Sequence, residues 1–435
     1  MTDSNIRAIV GRQVWDSRGR PTVEAEVHLA GGALGRAIAP AGASTGGGEA
    51  LDLRDGGNAF GGWGVSKAVA NINESIASAL SGLDAADQEL VDQRLCDLDG
   101  TNTCSTLGGN AMVAVSMATA HAAAQARGLP LWRHLAGDKV NMIPLPEVQI
   151  FGGGAHARGS MDLQDFMAVP FGARSFAEAM EWIAEIYREA GHFMARAGKS
   201  AGVADEGGYW PLFADNEAAI VALKEVIEAA GFDTETQVGI SLDIAANQVH
   251  DGAGYYLKAE KRHLTDIEWF DIMLRWVSQY PIVSIEDPFI ETDLESHKAF
   301  TALVGDRVQV IGDDLLVTNA SRVREAADKQ ACNTLLCKPN QAGTLSAARR
   351  ALEAAHEEGW NVVVSARSGE TEDTTIVDLA YGWGASQFKV GSFARSERMA
   401  KWNAMIRLEE SLGSAARYAG ALPLPGKAMY HQTTP

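Results

Sequence analysis

The amino-acid sequence predicts an α/β protein in which a small N-terminal α+β domain precedes a barrel of alternating strands and helices. Three observations lead to this fold class. Apolar and polar side chains alternate within residues 1–40, as they do in half-buried strands. From about Met142 onward, short runs that are apolar on both faces alternate with helical segments. Charged side chains stand at the ends of several of these runs, where a barrel would gather them at one opening.

The N-terminal part of the sequence predicts a compact α+β domain. Alternation is clearest at residues 22–27, and the polar segment 16–19 predicts a turn in front of that strand. Apolar side chains at helical spacing follow at Val65, Val69, Ile72 and Ile76. An alanine-rich stretch then predicts a second helix over residues 110–126. We therefore expect a three-stranded meander followed by helices, and we assign residues 1–135 to this domain.

The rest of the chain, residues 140–435, predicts a barrel. Six short apolar runs are candidate buried strands, at residues 238–242, 282–285, 308–311, 334–337, 362–364 and 388–390. Helical segments separate the runs, and one helix opens with a capping box in which Thr265 precedes Glu268 by one turn. Repeated strand–helix units favour a (β/α) barrel, with a doubly wound open sheet as the alternative.

The residues that follow the apolar runs predict a metal site. Asp243, Glu286 and Asp313 stand at the ends of successive runs, and the ends of parallel strands converge at one opening of a barrel. Neighbouring carboxylates repel one another unless a cation lies between them. Because the set offers only oxygen ligands, the sequence favours Mg²⁺ first, and Mn²⁺ or Ca²⁺ after it. The alternative is that each acid caps the next helix or forms a separate salt bridge.

Two lysines in equivalent positions predict the class of reaction. Lys338 ends the next apolar run and Lys389 lies within a later one. A dication beside a lysine disfavours the ammonium form, so the pKa of the lysine falls and the amine can act as a base. This combination indicates removal of a proton α to a carboxylate, with the metal stabilising the resulting enolate.

Composition argues against several other classes of protein. The chain has 435 residues with 37 basic and 56 acidic side chains, for a formal charge of −19, which disfavours nucleic acid as a partner. Four cysteines without a CxxC pair are too few for a disulfide framework. The N-terminus carries no basic-then-apolar signal, and no apolar run is long enough to cross a bilayer. We therefore expect a cytoplasmic protein with no membrane partner.

Five short motifs resemble those of enolases. They are Asp-Ser-Arg-Gly at residues 16–19, Gly-Ala-Ser-Thr-Gly at 42–46, Asp-Glu-Gly-Gly at 205–208, Ser-Ile-Glu-Asp-Pro at 284–288 and Ser-Gly-Glu-Thr-Glu-Asp at 368–373. The motifs occur in the family's order, and the similarity extends from about Ile6 to Gly420. The resemblance implies an enolase-type modified (β/α)8 barrel whose early strands break the regular alternation, behind the N-terminal α+β domain. It also implies a homodimer or larger homo-oligomer that acts on a small phosphorylated carboxylate.

The resemblance also assigns roles to individual residues. The first Mg²⁺ would be held by Asp243, Glu286 and Asp313. Lys338 would take the C2 proton of the substrate, Glu206 would protonate the departing C3 hydroxyl, and Lys389 would pair with the substrate carboxylate. The remaining substrate contacts would be His156, Gln164, Asp165 and the phosphate-binding pair Arg367 and Ser368. Ser44, in a glycine-rich loop that closes over the site in the family, would complete a second Mg²⁺ site together with the substrate phosphate.

The sequence departs from enolase at several positions near the predicted pocket. It has Ala366 where the family has His before the phosphate-binding pair, and Asp165 where the family has Glu. Ala41 replaces a Ser, and Gly152 replaces an Asn. All four changes shorten the side chain, whereas the metal ligands, both lysines and Glu206 remain. We therefore expect the elimination chemistry to persist on a substrate with a bulkier phosphorus group, as in a carboxyphosphonoenolpyruvate synthase of phosphinothricin-type antibiotic biosynthesis.

Three alternative functions remain open. The first is an ordinary glycolytic enolase that converts 2-phosphoglycerate to phosphoenolpyruvate, although loss of acid–base partners typically costs about 10²–10⁴-fold in rate. The second is a non-catalytic binding member of the family, against which the retained carboxylates and lysines argue. The third is a sugar-acid dehydratase of the wider superfamily, which the phosphate-binding pair disfavours.

Overall fold

The N-terminal part folds as the predicted meander. The computed structural model describes residues 3–43, 45–139 and 141–431. The first strands are β1 (Ile6–Trp15), β2 (Pro21–Leu29) and β3 (Leu34–Ile38). They pair antiparallel in chain order, and the predicted turn at residues 16–19 joins the first two. The three-stranded meander is therefore confirmed.

Five α-helices follow the meander in the described part of this domain. They are α1 (Ser66–Asn71), α2 (Ala77–Leu80), α3 (Gln88–Asp99), α4 (Gly109–Ala126) and α5 (Leu131–Ala136). A π-helical segment, Ile72–Ile76, joins the first two, and its terminal isoleucines face the core as predicted. The predicted alanine-rich helix is α4, which packs closely on β3. A Cβ at Gly35 would lie only 1.9 Å from the carbonyl oxygen of Ala118, so this approach requires glycine.

The second part of the chain forms a closed barrel. Its strands are β4 (Leu145–Gly152), β5 (Asp165–Val169), β6 (Ser200–Val203), β7 (Tyr209–Pro211), β8 (Gly239–Asp243), β9 (Tyr255–Leu257), β10 (Arg262–Leu264), β11 (Ile282–Glu286), β12 (Gln309–Gly312), β13 (Thr334–Cys337), β14 (Asn361–Ser365) and β15 (Gln387–Ser392). In residues 141–431, eight of them close the ring in the order β4–β5–β8–β11–β12–β13–β14–β15, and β15 pairs with β4. β5 runs antiparallel to both neighbours, while the other pairs in the ring are parallel. The modified barrel is confirmed, including the break in alternation near its start.

Helices surround the ring of strands. They are α6 (Phe176–Ala197), α7 (Asn216–Ala229), α8 (Asp266–Gln279), α9 (Leu294–Val304), α10 (Ala320–Asp328), α11 (Pro339–Ala342), α12 (Leu345–Glu357), α13 (Thr375–Gly382) and α14 (Ser396–Leu412). Short 3-10 turns occupy Ala59–Gly62, Gly154–Ala157, Ala246–Gln248, Gly413–Ala415 and Ala428–Tyr430. The predicted capping box is present at the start of α8. No helix in the described ranges combines the length and apolarity needed to cross a membrane.

A buried carboxylate ties the N-terminal domain to the barrel. Asp92 on α3 accepts hydrogen bonds from the Ser116 hydroxyl (2.6 Å) and from the backbone N–H of Ser346 on α12 (2.8 Å). The apolar core of the first domain also includes Leu345 and Leu379 from the barrel helices. This packing holds the N-terminal loops over the barrel opening, where the candidate site lies.

Candidate active site

The barrel strands bring the predicted acids and lysines to one opening. Asp243 and Glu286 are the last residues of β8 and β11, which are hydrogen-bonded neighbours with these two residues paired in register. Asp313 follows β12 and Lys338 follows β13, while Lys389 lies within β15. All five side chains are buried. We call this set the acid end of the site.

The lysine ammonium groups lie among the carboxylates. Lys389 Nζ donates to Asp243 Oδ2 (2.9 Å) and Glu286 Oε2 (2.6 Å), and Asp165 Oδ2 lies 3.6 Å away. Lys338 Nζ forms a close ion pair with Asp313. The structure therefore places both lysines in contact with the residues that the sequence predicted as metal ligands.

Buried amides orient the same carboxylates. Gln164 Nε2 donates to Asp243 Oδ2 (3.0 Å), and Gln164 Oε1 accepts from Gln248 Nε2 (2.6 Å). On the other side, Gln341 Nε2 donates to Asp313 Oδ1 (2.9 Å). Together with Lys338, the hydrogen bond from Gln341 holds the pKa of Asp313 below its usual value despite burial. The acid end thus contains two hydrogen-bonded groups, one around Lys389 and one around Asp313, and the predicted substrate contact Gln164 also fixes Asp243.

Charge raises the pKa of both lysines above the usual value. Burial by itself lowers the pKa of Lys338, but the Asp313 carboxylate outweighs this effect. Burial likewise lowers the pKa of Lys389, and the carboxylates of Asp243 and Glu286 more than compensate. A lysine can serve as a base only when the carboxylates no longer stabilise its ammonium form. A cation that binds the same carboxylate oxygens would weaken that stabilisation and lower the pKa of the lysine.

The donor set at the acid end fits Mg²⁺. Every acceptor there is an oxygen, which is what a hard divalent ion requires. Glu286 Oε1 is buried and has no hydrogen-bond partner in the described part of the chain, so it is available as a ligand. Asp313 also belongs to a tight group with Asp287 and Asp314, whose carboxylate oxygens lie within 4.8 Å of one another. Asp243, Glu286 and Asp313 would hold the ion.

A second cluster joins three further predicted site residues. His156 Nδ1 lies 3.0 Å from Asp165 Oδ1, and His156 Nε2 lies 3.7 Å from Glu206 Oε1. Burial lowers the pKa of His156, but Asp165 and Glu206 outweigh it and raise the value to about 9. In turn the imidazolium holds the pKa of Asp165 below its usual value despite burial. His156 therefore lies between two carboxylates that favour its protonated form.

The opposite side of the pocket contains the predicted phosphate-binding pair. Arg367 Nη1 donates to Glu49 Oε2 (3.2 Å) and to Asn340 Oδ1 (2.9 Å). Ala366, which precedes it, donates its backbone N–H to the carbonyl oxygen of Lys389 (2.9 Å). The wall here is completed by small side chains of an N-terminal loop. We call the set formed by Ala41, Ala43, Ala366, Arg367 and Ser368 the arginine end of the site.

Two further arginines hold the backbone of the arginine end. Arg18 Nη2 donates to the carbonyl oxygen of Ala41 (2.9 Å), and Arg18 Nη1 lies 3.3 Å from Ser368 Oγ. Arg398, which is fully buried, donates to the carbonyl oxygens of Arg367 (2.7 Å) and Ser368 (2.6 Å). These guanidinium groups donate the hydrogen bonds that water would otherwise give to the loop carbonyl oxygens. Charge-assisted hydrogen bonds therefore fix the loops.

One pocket at the barrel opening brings most of the predicted residues together. It is lined by His156, Gln164, Asp165, Glu206, Asp243, Lys338, Arg367, Ser368 and Lys389. Ala43, Ser365 and Ala366 complete its wall, whereas Glu286 and Asp313 are reached through the lysines that contact them. Ser44 lies outside the described residues, so the second Mg²⁺ site stays a prediction.

Comparison with known families agrees with this geometry. The model described as "Enolase, N-terminal domain" matches residues 6–135, and the one described as "Enolase, C-terminal TIM barrel domain" matches residues 140–424. Together these matches cover almost the whole chain. The chain belongs to the enolase family. It is thus an enolase-superfamily enzyme of the lyase class, and enolases typically use Mg²⁺, in agreement with the oxygen donors at the acid end.

Sequence reasoning missed several residues that hold the enolase site in place. They are Glu49, Gln149, Asn340, Gln341 and Arg398, all buried. Gln341 follows the predicted base by three residues, and this helical spacing was a usable signal. The partners of Arg367 and the carbonyl contacts of Arg398 join segments far apart in the chain, so no local pattern indicates them.

Proposed function

We propose that the chain removes water from a 2-phosphoglycerate-type substrate whose phosphorus carries an additional group, as a carboxyphosphonoenolpyruvate synthase does. The coarser statement, an enolase-superfamily lyase, follows from family membership. The finer proposal concerns the substrate. It is supported by the small side chains at the arginine end and by the complete acid end.

The reaction divides between the two clusters of the pocket. Lys338 takes the C2 proton, and the electrons of the broken C–H bond move into the adjacent carboxylate as an enolate. The electron pair then returns to form the C2–C3 double bond while the C3–O bond breaks. Glu206 supplies a proton to the departing hydroxyl, which leaves as water. Bound Mg²⁺, held by Asp243, Glu286 and Asp313, would stabilise the negative charge of the enolate.

The observation that carries the substrate proposal is the composition of the wall beside the phosphate-binding pair. Ala366 directly precedes Arg367, and it lines the pocket together with Ala43. Ala41 pairs with Gly369 in a short bridge, so the N-terminal loop lies against this wall. Of these alanines, Ala366 lines the pocket and also replaces a longer side chain of the family, so histidine at this position would take up space beside Arg367. A carboxyl group on phosphorus needs such room next to the guanidinium of Arg367.

The test compares two substrates in the presence of saturating Mg²⁺. One is 2-phosphoglycerate, and the other is a phosphoglycerate with an extra carboxyl on phosphorus. We expect the wild-type protein to favour the modified substrate by at least about 10-fold in kcat/KM, the effect of a pocket contact of about 1–2 kcal/mol. Ala366→His should reverse this preference by filling the space. Ala302→His, the same change at an exposed position of α9, is the matched control.

An ordinary glycolytic enolase is the second candidate, because the acid end and the Arg367–Ser368 pair are complete. Fast turnover of 2-phosphoglycerate, with no preference for the modified substrate, would establish this alternative. Improved turnover of the modified substrate by Ala366→His would also overturn the enlarged-pocket proposal. Elimination of neither compound by folded protein would reject both functions.

A further inference from the structure

The buried side-chain amide of Gln149 contacts Asp165 and the segment that carries Glu206. Gln149 lies on β4 and is completely inaccessible to solvent. Its Oε1 accepts the backbone N–H of Gly208 (2.9 Å). Its Nε2 donates to Asp165 Oδ1 through a short hydrogen bond and lies 3.5 Å from His156 Nδ1. These two partners determine the positions of the amide oxygen and nitrogen, because a backbone N–H needs an acceptor and a carboxylate needs a donor.

Glycines leave a fitted space for this side chain. A Cβ at Gly208 would lie 2.5 Å from Gln149 Oε1, and a Cβ at Gly152 would lie 3.2 Å from Gln149 Cδ. A larger residue at position 208 would force the amide oxygen to move, and one at position 152 would press on Ala204 and on the amide carbon. The absence of these two side chains therefore selects one position for Gln149, and the longer residue usual in the family at position 152 would crowd it.

The amide contact on Gly208 reaches the catalytic acid through the backbone. Gly208 ends the segment 205–208, and its carbonyl oxygen accepts the N–H of Ala204 (2.8 Å), which closes the segment into a tight loop. Glu206 lies at the centre of this loop, and its carbonyl oxygen accepts the N–H of Ser392 (2.9 Å). The hydrogen bond between Gln149 and Gly208 therefore helps to fix the backbone from which the Glu206 side chain extends.

We propose that Gln149 is a positioning residue that sets the relative placement of Asp165, His156 and Glu206 for protonation of the leaving hydroxyl. The inference deepens the proposed elimination but holds for either phosphoglycerate. Gln149 lies too deep to contact substrate, and its two hydrogen bonds act through Asp165 and through the Glu206 loop. Lys338 belongs to a different network, in contact with Asp313. Loss of Gln149 should therefore impair the second half-reaction more than the first.

The first experiment measures both half-reactions in Gln149→Met. Exchange of the substrate C2 proton with deuterated solvent reports on Lys338, and release of the unsaturated product reports on Glu206. We expect product formation to fall about 10- to 100-fold, the loss of a hydrogen bond to a charged group, while C2 exchange stays within about 3-fold of wild type. A parallel fall in both rates, or no fall in either, would overturn the proposal.

Gln309→Met is the matched control for loss of a buried amide. Gln309 is equally inaccessible and donates to Gln387 and to the carbonyl oxygen of Pro423 at the other end of the barrel. This variant should lower both half-reactions equally or not at all. If it shows the same selective loss of product formation, the effect belongs to the barrel core and not to Gln149.

The second experiment needs no substrate. Amide hydrogen exchange is followed in the peptide that contains residues 204–211, since Gln149 accepts the N–H of Gly208. Exchange there should become faster in Gln149→Met and stay unchanged in Gln309→Met. Wild-type protection in Gln149→Met would contradict the inference. If the wild-type protein eliminates neither phosphoglycerate, the proposed function fails, and this measurement alone decides the role of Gln149.

Discussion

The two ends of the pocket are built by different means. At the acid end, charged side chains contact one another directly, and Lys389 alone bonds to both Asp243 and Glu286. At the arginine end, Arg367 and Ser368 stand in a wall that is otherwise made of alanine side chains and backbone, and two further arginines support this wall. Arg18 and Arg398 bind carbonyl oxygens of the loops there and fix their course.

Because of this difference, we expect the acid end to govern the reaction and the arginine end to govern which substrate is used. Removal of one charge at the acid end leaves its buried partner uncompensated, which is strongly unfavourable. A change at the arginine end instead adds or removes volume in a wall of small residues, so the reaction can continue on a substrate of another shape. We therefore expect substitutions at the acid end to abolish the reaction and substitutions at the arginine end to change which substrate is used.

The largest effect is expected for Lys338→Ala. Loss of the base should lower kcat by about 10²–10⁴-fold with either phosphoglycerate, and it should also abolish C2 proton exchange. Lys298→Ala, at an exposed position of α9, is the control and should retain wild-type rates. A decrease of less than about 10-fold would show that another group removes the proton, and the comparison of the two ends would lose its basis.

The next effect concerns metal binding by Asp313→Asn. Outer partners of metal ligands typically contribute about 10–100-fold in affinity, so a direct ligand should contribute at least about 100-fold. Mg²⁺ affinity is measured by calorimetry, and by the rise in Tm that Mg²⁺ causes in the wild-type protein. Asp306→Asn, an exposed neighbour in the chain, should bind Mg²⁺ like wild type. Unchanged affinity in Asp313→Asn would remove this residue from the metal site.

A smaller effect is expected at the arginine end, for Arg18→Met. The loss of donors to the Ala41 carbonyl and of the contact with Ser368 should raise KM by about 10-fold, because a charge-assisted hydrogen bond is worth about 1.5 kcal/mol or more. The effect on kcat should be smaller than that on KM. Arg20→Met is the control, since Arg20 stacks on Trp63 at 4.3 Å from the ring centre. A selective loss of kcat would assign Arg18 to the chemistry and weaken the separation of the two ends.

For Glu147→Gln we expect a change in stability and not in turnover. Glu147 is buried in the barrel, where it accepts from Gln387 Nε2 (2.6 Å), and burial raises its pKa from 4.5 to about 7. Because the folded pKa is the higher one, the unfolded chain ionises first, and wild-type stability falls as the pH rises from about 4.5 to about 7. Between about pH 4 and about pH 8, the free energy of unfolding of the variant should rise by about 3 kcal/mol relative to that of the wild-type protein.

Denaturation curves at several pH values check this expectation. The exposed Glu225→Gln provides the control and should follow the wild-type pH dependence. Parallel curves for wild type and Glu147→Gln would mean that Glu147 is ionised at the same pH in both states. The barrel interior would then tolerate a buried charge outside the acid end, where the carboxylates are paired with lysines.

Much of the fold was predictable because its signals are local. Neighbouring residues alone show the alternation at residues 22–27, the helical spacing from Val65 to Ile76 and the apolar runs. The structure confirms these patterns as β2, the helical segment of residues 66–80, β8 and β11 to β15. The early strands of the barrel were expected from family resemblance alone. The antiparallel course of β5 depends on its pairing with β4 and β8, which no local pattern specifies.

The sequence by itself determined the family, the barrel and the charged residues at its strand ends, because strand direction forces those ends to one opening. Only the tertiary structure decided which partner each residue has. Lys389 lies between two carboxylates, Arg367 contacts Glu49, and Gln149 joins Asp165 to the loop of Glu206. These contacts join segments from 16 to 318 positions apart, and their geometry is set by packing of the whole barrel and not by the residues on either side.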